Sequence, residues 1–394
     1  MPFEPAPWKK IRPPAPRVAV LRTSPATVVD DYRRLLHLAR VDSALDPTAQ
    51  TILKDNITWH LAHPAVNTTP WQLEGTILGL KDHGLSDLVD VHNHTVVTEP
   101  HRGEVNLRFK PVYEKYAIPV KYNFVETDMK WMPFSPSAEM LVLHKIFPKG
   151  IRIPDFFQGR NIVQLPTMKT HSYTTYTGAL KNAFGGLLNF MRHYTHTWIH
   201  ETLVDLLAIG QEIHPGMFAT MDGTTAGEGP GPRTVLPHDK NVILASADQV
   251  AIDAVAATLM GFDPMTLPCI RLSHERGLGQ GDLSGIEIVG DQDVLEERWN
   301  FKVGANFATG TGRLLWHTWP FNKFQKLLFH TPLVHVFETA SATYHDRVHY
   351  PMWSKKITET WLAESPWGRL FQQEYASATT IPDRPAVSPW ERKA

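Results

Sequence analysis

The segment 169–186, KTHSYTTYTGALKNAFGG, contains side chains that suit an anion-binding site. Lys169 and His171 precede a predicted helix, and Lys181 and Asn182 lie in its first turn. Lysine ammonium groups attract phosphate or carboxylate groups, and so do the free backbone N–H groups at a helix N-terminus. The segment therefore predicts a site for a small anionic or nucleotide-like ligand.

Two interpretations of this segment remain open. In a binding site, Gly185 and Gly186 would let a ligand approach the backbone closely. Alternatively, the lysines are solvated and the glycine pair only lets two elements pack together. The segment follows a predicted strand at 161–166, and open parallel sheets bind ligands beyond the carboxyl ends of their strands. The first interpretation therefore places the site at the carboxyl edge of a sheet.

A second candidate is the segment 217–233, MFATMDGTTAGEGPGPR. Asp222 is predicted to end a strand, and Glu228 and Gly229 lie in the glycine-rich loop that follows. The two carboxylates suit a general base, a metal ligand or a partner for a hydroxyl group. The alternative is a surface Gly-Pro loop with a solvated glutamate. The segment contains neither a Walker loop nor a dinucleotide-binding glycine motif.

Three histidines raise the possibility of a metal site. His193, His196 and His200 have the spacing i, i+3 and i+7, which places them on one face of a helix. Imidazoles in this arrangement suit zinc or another first-row divalent ion. A helix that began at Thr195 or Thr197 would exclude His193, which leaves His196 and His200 as the candidate ligands. Ordinary histidines at a packing interface are the alternative.

Two aspartates lie near the start of the predicted helix in NVILASADQVAIDAVAATLMGFDP (241–264). Asp248 is placed to cap that helix, although a ligand-binding role remains open. Asp253 lies among small apolar residues, where a carboxylate needs a partner. A lysine of segment 169–186 is the predicted partner.

The composition excludes several classes of protein. The chain has 394 residues and a formal net charge of −1, so it lacks the basic surface of a general nucleic-acid binder. Cys269 is its single cysteine, so this chain alone cannot hold an iron–sulfur cluster. No stretch approaches the roughly 18 apolar residues that span a membrane, and the proline-rich start has no secretion-signal core. These features predict a cytoplasmic protein.

Strand and helix patterns alternate along most of the chain, which predicts an α/β fold with a Rossmann-like, mostly parallel sheet and crossover helices. We expect a Pro-rich arm at 1–16, an α/β body at 17–295 and an aromatic-rich helical region at 296–394. The last region is a candidate lid or dimer contact. Membrane-surface association through its aromatic residues is a further alternative.

The motifs together resemble the domain of unknown function family 362. The resemblance rests on ILKDN (52–56), LPTMKTH (165–171), TGALKNAFGG (177–186), the MDG…GEGPGP loop, ADQVAIDAVAATLMGFDP and HERGLGQGDLSGIEIVG (274–290). It implies a Rossmann-like fold. The residues that match the family pattern are Asn56, Lys169, His171, Lys181, Asn182, Asp222, Glu228, Gly229, Asp248, Asp253 and, more loosely, His200.

Many members of this family carry ferredoxin-like cysteine clusters, which would imply redox work. This chain departs from that pattern because Cys269 is alone. Redox chemistry would then need an external cofactor or redox partner, and acid–base chemistry is the alternative. The cofactor stays unassigned, with a divalent metal as one candidate.

The leading functional hypothesis is an enzyme with His171, Lys181, Asp222 and Glu228 as catalytic residues. The alternative is an accessory protein that binds a metal or cofactor without turnover, and a homo-oligomer is compatible with either. The predicted ligand-binding residues are Asn56, Lys169, Asn182, Gly185, Gly186, Gly229, Asp248 and Asp253.

Overall fold

Short, apolar strands assemble into one central sheet in the computed structural model. The structure describes residues 10–11, 15–95, 98–306, 310–311, 315–316, 318, 324, 327–328 and 330–375. Within these residues the strands are β1 Arg17–Arg22, β2 Thr51–Lys54, β3 Leu88–His92, β4 Val120–Tyr122, β5 Trp131–Phe134, β6 Ile151–Pro154, β7 Asn161–Gln164, β8 Thr167–His171, β9 Thr175–Thr177, β10 Met217–Glu228, β11 Leu236–Ser246 and β12 Glu287–Gly290.

The sheet has the strand order β12-β1-β11-β10-β7-β2-β3-β4, while β5 and β6 form a separate hairpin. Strands β10, β7, β2, β3 and β4 run parallel to one another. β11 runs antiparallel to both of its neighbours, β10 and β1. All residues of β2, β3 and β7 are buried, as expected for parallel strands that are covered on both faces. The predicted mostly parallel α/β sheet is therefore confirmed.

Helices connect the strands and cover both faces of the sheet. They are α1 Val28–Leu38, α2 Pro70–Asp82, α3 Pro100–Asn106, α4 Phe109–Tyr116, α5 Leu143–Ile146, α6 Ala179–Leu187, α7 Ile199–Ile213, α8 Gln249–Met260, α9 Pro268–Glu275, α10 Val334–Thr343, α11 Lys355–Glu364 and α12 Pro366–Gln373. A 3₁₀ segment at Phe190–Trp198 precedes α7, and a π-helical stretch at Tyr344–Ser354 joins α10 to α11.

Alternate residues of the strands enter two separate hydrophobic cores. Val18 and Val20 of β1 join the core beneath α6, α7, α8 and α9. Ala19 and Leu21 join the core beneath α1, α2 and α4. This division follows from the two-residue period of a strand, which sends successive side chains to opposite faces.

Local capping signals fix several helix ends where the sequence predicts them. The Thr69 hydroxyl accepts a hydrogen bond from the Gln72 N–H at 3.3 Å, and Pro70 occupies the first helical position of α2. Asp248 caps α8 by accepting from the N–H groups of Val250 and Ala251.

Other local predictions are wrong in identifiable ways. Residues after 166 form the β8–β9 hairpin. The single helix expected to carry His193, His196 and His200 is the 3₁₀ segment followed by α7. Asp222 does not end its strand, because β10 continues to Glu228 through a register shift between Gly223 and Thr225. A Cβ atom at Gly223 would lie 2.6 Å from the Met168 sulfur, so glycine is what lets β10 and β8 pack this closely.

The C-terminal helices pack on the α/β body. Trp367 of α12 is fully buried, its ring lies 5.4 Å from that of Trp71, and its Nε1–H donates to Asn241 Oδ1 at 2.8 Å. The Tyr375 hydroxyl donates to Glu74 of α2. The predicted division of the chain stays a prediction, and Trp319 and Phe321 of its aromatic cluster lie outside the described residues.

We expect Trp367→Ala to lower the free energy of unfolding by about 3–5 kcal/mol, because it empties a fully buried indole site. Chemical denaturation of both proteins measures the difference. Trp353→Ala is the matched control: its indole is 48% exposed, so a change within about 0.5 kcal/mol is expected. Equal losses in the two variants would contradict the packing of α12 on the body.

Candidate functional site

A cavity of about 400 Å³ lies beyond the carboxyl ends of β2, β3 and β7. The start of α6, the 3₁₀ segment, the loop after β10, and α10 with the π-helical stretch supply its other walls. Its polar lining includes Lys54, Asn56, Asn93, His94, Lys169, His171, Lys181, Asn182, Arg192, His193, His196, Arg233, Glu338 and His345.

Three cations of this lining have no acidic partner. No carboxylate in the described part of the chain lies within ion-pair distance of Lys169, Lys181 or Arg233. The Lys169 ammonium donates to the Val66 carbonyl at 2.8 Å, and Arg233 Nε donates to the Thr58 carbonyl at 3.1 Å. Lys181 Nζ lies 4.0 Å from the centre of the Phe184 ring. The cavity therefore carries positive charge that the neighbouring side chains do not neutralise.

Burial and repulsion from neighbouring cations make the two lysines easy to deprotonate, and burial alone lowers the pKa of Arg233. Burial lowers the pKa of Lys169 to about 7, and the charges of Lys181 and Arg233 act in the same direction. Burial also lowers the pKa of Lys181 to about 7, with further repulsion from Arg192 and Arg233. For Arg233, burial lowers the pKa to about 10 although Asp346 opposes the shift. A bound anion would restore the charged form of the two lysines, whereas Arg233 stays charged at neutral pH.

His171 is held as a neutral hydrogen-bond donor. Its Nδ1 accepts from the backbone N–H groups of Tyr173 at 3.1 Å and Thr174 at 3.3 Å, which assigns the ring proton to Nε2. Burial holds the pKa of His171 well below its usual value, and the charge of Lys181 adds to this effect. In this state His171 offers an N–H group to a ligand and does not take up a proton.

Two other histidines of the lining have the opposite tautomer. His196 Nδ1–H donates to the backbone carbonyl of His193 at 3.1 Å. His345 Nδ1–H donates to the backbone carbonyl of Ser341 at 2.8 Å. Burial lowers the pKa of each ring to about 3, so each is neutral and keeps a lone pair on Nε2. His196 also stacks on Trp316 with ring centres 4.7 Å apart. These two rings can accept hydrogen bonds from a ligand.

Asp253 does not pair with a lysine, so that prediction is wrong. Its carboxylate accepts hydrogen bonds from the N–H groups of Ala179 at 2.6 Å and Leu180 at 3.0 Å, and from the Tyr176 hydroxyl at 2.8 Å. The first N–H groups of α6 are therefore occupied by the protein's own carboxylate. Recognition of an anion in the cavity falls to side chains, and not to this helix terminus.

The structure places Asp222 away from the cavity lining. Its carboxylate accepts from the Tyr32 hydroxyl at 3.0 Å, the Thr69 hydroxyl at 2.8 Å and Trp71 Nε1 at 3.1 Å. These bonds join α1 and α2 to β10, so they give Asp222 a role in holding the fold. Asp248 likewise caps α8, and its second oxygen accepts from the Gln280 N–H at 2.9 Å.

The glycine-rich loop contributes through its prolines and Arg233. Glu228 accepts from the Lys302 N–H at 3.0 Å and lies 3.0 Å from His238 Nε2, outside the described lining of the cavity. Gly229 has a φ of 109°, which favours glycine, and it lets the chain turn so that Pro230, Pro232 and Arg233 reach the cavity.

The remaining predicted ligand-binding residues hold the walls of the cavity together. Asn182 Nδ2 donates to the Lys54 carbonyl and to Gln164 Oε1, both at 2.7 Å, which ties α6 to the ends of β2 and β7. Asn56 Nδ2 donates to the Val66 carbonyl at 3.2 Å.

Gly185 and Gly186 also serve close packing. A Cβ atom at Gly185 would lie 2.6 Å from Asn93 Oδ1, and one at Gly186 would lie 3.1 Å from the Phe157 ring. Gly185 lines the cavity, whereas Gly186 lies outside its described lining.

Of the predicted metal ligands, His196 lines the cavity, whereas His200 lies in the first turn of α7, outside the described lining. Neither belongs to a group of three potential metal ligands among the described residues. The sequence analysis missed Lys54, Arg192 and Arg233. Arg233 directly follows the GPGP turn, and this position was the one available signal for it.

Comparison with known proteins gives two similarities. A segment of 124 residues, 30% of this chain, is 30% identical to the thylakoid-associated protein sll1697 of Synechocystis sp. and spans 37% of that protein's length. No solved structure matches the chain significantly. None of the described helices has the length and apolar character needed to cross a membrane.

The family comparison covers the strand ends, α6 and the loop after β10 that line the cavity, but not α10 or the π-helical stretch. Residues 51–258, more than half of the 394 residues, match the family described as Domain of unknown function (DUF362). This range runs from β2 to α8 and includes the segment 169–186 and the loop after β10. The chain therefore belongs to the DUF362 family.

Proposed function

We propose that the protein is an enzyme that binds a small ligand with a phosphate or carboxylate group and acts on it by acid–base chemistry. The observation that carries the proposal is a set of cations around one cavity that have no carboxylate within ion-pair distance among the described residues: Lys169, Lys181 and Arg233. A cavity of about 400 Å³ is within the usual range for small-molecule sites.

The lysine pair supports a division of roles in this proposal. Lys169 is 1% exposed and is held by the Val66 carbonyl, which suits a fixed cationic contact with an anion. Lys181 is partly exposed, and its Nζ has no hydrogen-bond acceptor among the described side chains and backbone groups. Because its pKa is about 7, Lys181 can give or take a proton near neutral pH.

The histidines would place hydrogen bonds around the reacting group. The Nε2–H of His171 is suited to an oxygen that gains negative charge during the reaction. The lone pairs of His196 and His345 are suited to ligand hydroxyl groups. Burial raises the pKa of Cys269 to about 12, so its thiol is a poor nucleophile and a poor redox group.

The proposed location is the cytoplasm, and the proposed partner is a small anionic molecule and not a nucleic acid. The near-neutral net charge supports the second point. The similarity to a thylakoid-associated protein makes fractionation of the native cell extract the relevant measurement of location.

Lys181→Met should weaken the binding of inorganic phosphate and pyrophosphate by about 10-fold or more, because it removes a cation of the site. The melting temperature should stay unchanged or rise by a few degrees, since the ammonium group is held in a desolvating and repulsive setting. Isothermal titration calorimetry and thermal denaturation measure the two quantities.

Lys145→Met is the control for this experiment, because Lys145 is exposed and lies outside the described cavity lining. It should leave both the binding and the melting temperature as they are. A fall of many degrees in Lys181→Met with unaltered anion binding would assign Lys181 to the scaffold and overturn its role in the site.

The ligand-free protein should gain stability from Lys181 as the pH rises from about 7 to 9. In this window the unfolded chain carries a protonated lysine, whereas the folded protein, with a pKa of about 7, has lost that proton. The unfolded state therefore binds more protons, and stability rises by at most about 1.4 kcal/mol per pH unit for this group.

Urea denaturation of the wild type and of Lys181→Met at pH 7, 8 and 9 measures this contribution. The difference between the two proteins isolates Lys181 from other titrating groups. The stability advantage of the variant should shrink as the pH rises. A constant difference across the range would mean that Lys181 keeps an ordinary pKa in the folded protein.

A further inference from the structure

A buried group of charged residues lies next to the cavity, at the carboxyl ends of β2 and β3. Asp55, Asp90 and His92 are at most 1% exposed, and one ligand atom from each lies within 4.8 Å of the others. His92 Nδ1 lies 3.1 Å from Asp55 Oδ1 and 3.9 Å from Asp90 Oδ1. Ligands in a tetrahedral site with bonds of about 2.1 Å are about 3.4 Å apart, so these separations suit one shared ion.

Three carboxylate oxygens in this group lack hydrogen-bond donors among the described residues. Both oxygens of Asp90 and Oδ2 of Asp55 are buried without a hydrogen-bond partner among the described residues. A buried carboxylate is strongly unfavourable unless it is hydrogen-bonded, is paired with a charge or binds a metal. Because neither oxygen of Asp90 has a hydrogen-bond partner in the described part of the chain, a bound cation would account for its place in the interior.

The charges of the surrounding residues favour a divalent ion. With His92 neutral, as it is in a metal ligand, the carboxylates of Asp55, Asp90 and Glu104 face the single ammonium group of Lys54. This leaves two negative charges that a divalent cation would balance. The Lys54 ammonium donates to the Asp55 carbonyl at 2.6 Å and lies 3.6 Å from Asp55 Oδ1.

The opposite edge of the His92 ring has the contacts that metal-binding histidines usually show. Its Nε2 lies 3.3 Å from the Tyr113 hydroxyl and 3.5 Å from Glu104 Oε1. The Tyr122 hydroxyl in turn donates to Glu104 Oε1 at 2.7 Å. A carboxylate behind the second ring nitrogen orients a ligating imidazole and increases its basicity.

We propose that Asp55, Asp90 and His92 bind a first-row divalent cation. Two carboxylates and one imidazole favour Mn²⁺, Fe²⁺ or Zn²⁺, since the imidazole makes the site less suited to Mg²⁺ or Ca²⁺. Asp55 also lines the cavity, so the ion would lie beside the anion-binding cations. The cation site does not depend on the identity of the proposed anion.

The test uses the full chain without a histidine tag, stripped of metal and then titrated with Mn²⁺ alone or Zn²⁺ alone. Calorimetry and elemental analysis should show one bound equivalent in the wild type. Asp90→Asn should weaken the binding by about 100-fold or more, and Glu104→Gln by about 10- to 100-fold. A wild type that binds neither ion, or an Asp90→Asn variant with unchanged affinity, would overturn the proposal.

His200→Asn is the matched control, because the sequence alone also predicts His200 as a metal ligand. It should keep the wild-type affinity. If His200→Asn loses the ion while Asp90→Asn keeps it, the ion is bound elsewhere and the proposal is overturned. Asp90→Asn removes a buried carboxylate without partners and keeps its shape, so the metal-free variant should melt no lower than the metal-free wild type. Because the titration contains no phosphate, an absence of metal binding can be distinguished from an absence of anion binding.

Discussion

Asp253 lies where α8 meets the start of α6, and its carboxylate accepts hydrogen bonds from two backbone N–H groups of α6 and from Tyr176 of β9. A Cβ atom at Gly178 would lie 2.2 Å from its Oδ1, so the contact needs glycine there. Burial raises the pKa of Asp253 to about 7 against these hydrogen bonds. This one carboxylate determines where α6 begins. Because Lys181 and Asn182 lie in the first turn of α6, it also determines their position near the ends of the strands.

The cations of the cavity lower the stability of the ligand-free fold. The walls are held by neutral hydrogen bonds such as those that Asn182 Nδ2 donates. Lys169 is buried and Lys181 is half-buried near it, and holding both charges there costs free energy in the absence of an anion. Proteins tolerate such local costs mainly where function needs them, since most other positions can relax toward greater stability. The free-energy cost of placing these cations together, next to walls held by neutral hydrogen bonds, is stronger evidence for a ligand site than the number of cations is.

Features with a local signal were predictable from the sequence. The caps at Thr69 and Asp248 depend on residues two or three positions away, and the buried strands form short apolar runs. The position of Asp222 was not predictable, because its partners Tyr32 and Trp71 lie 190 and 151 residues away in sequence. Arg233 likewise reaches the cavity only through the turn of the glycine-rich loop. The sequence thus identifies about half of the polar residues that line the cavity, while long-range packing decides which residues face the ligand.

The two proposed sites meet at Lys54. Its side chain is buried at the end of β2, it lines the cavity, and its ammonium lies 3.6 Å from Asp55 Oδ1. A divalent ion on Asp55 would repel this ammonium and favour its movement toward an anion in the cavity. An anion that attracts Lys54 would, by the same thermodynamic cycle, raise the affinity of the cation by an equal factor. The adjacent positions of a carboxylate group and a lysine group therefore provide a physical route by which a cation and an anionic ligand would bind cooperatively.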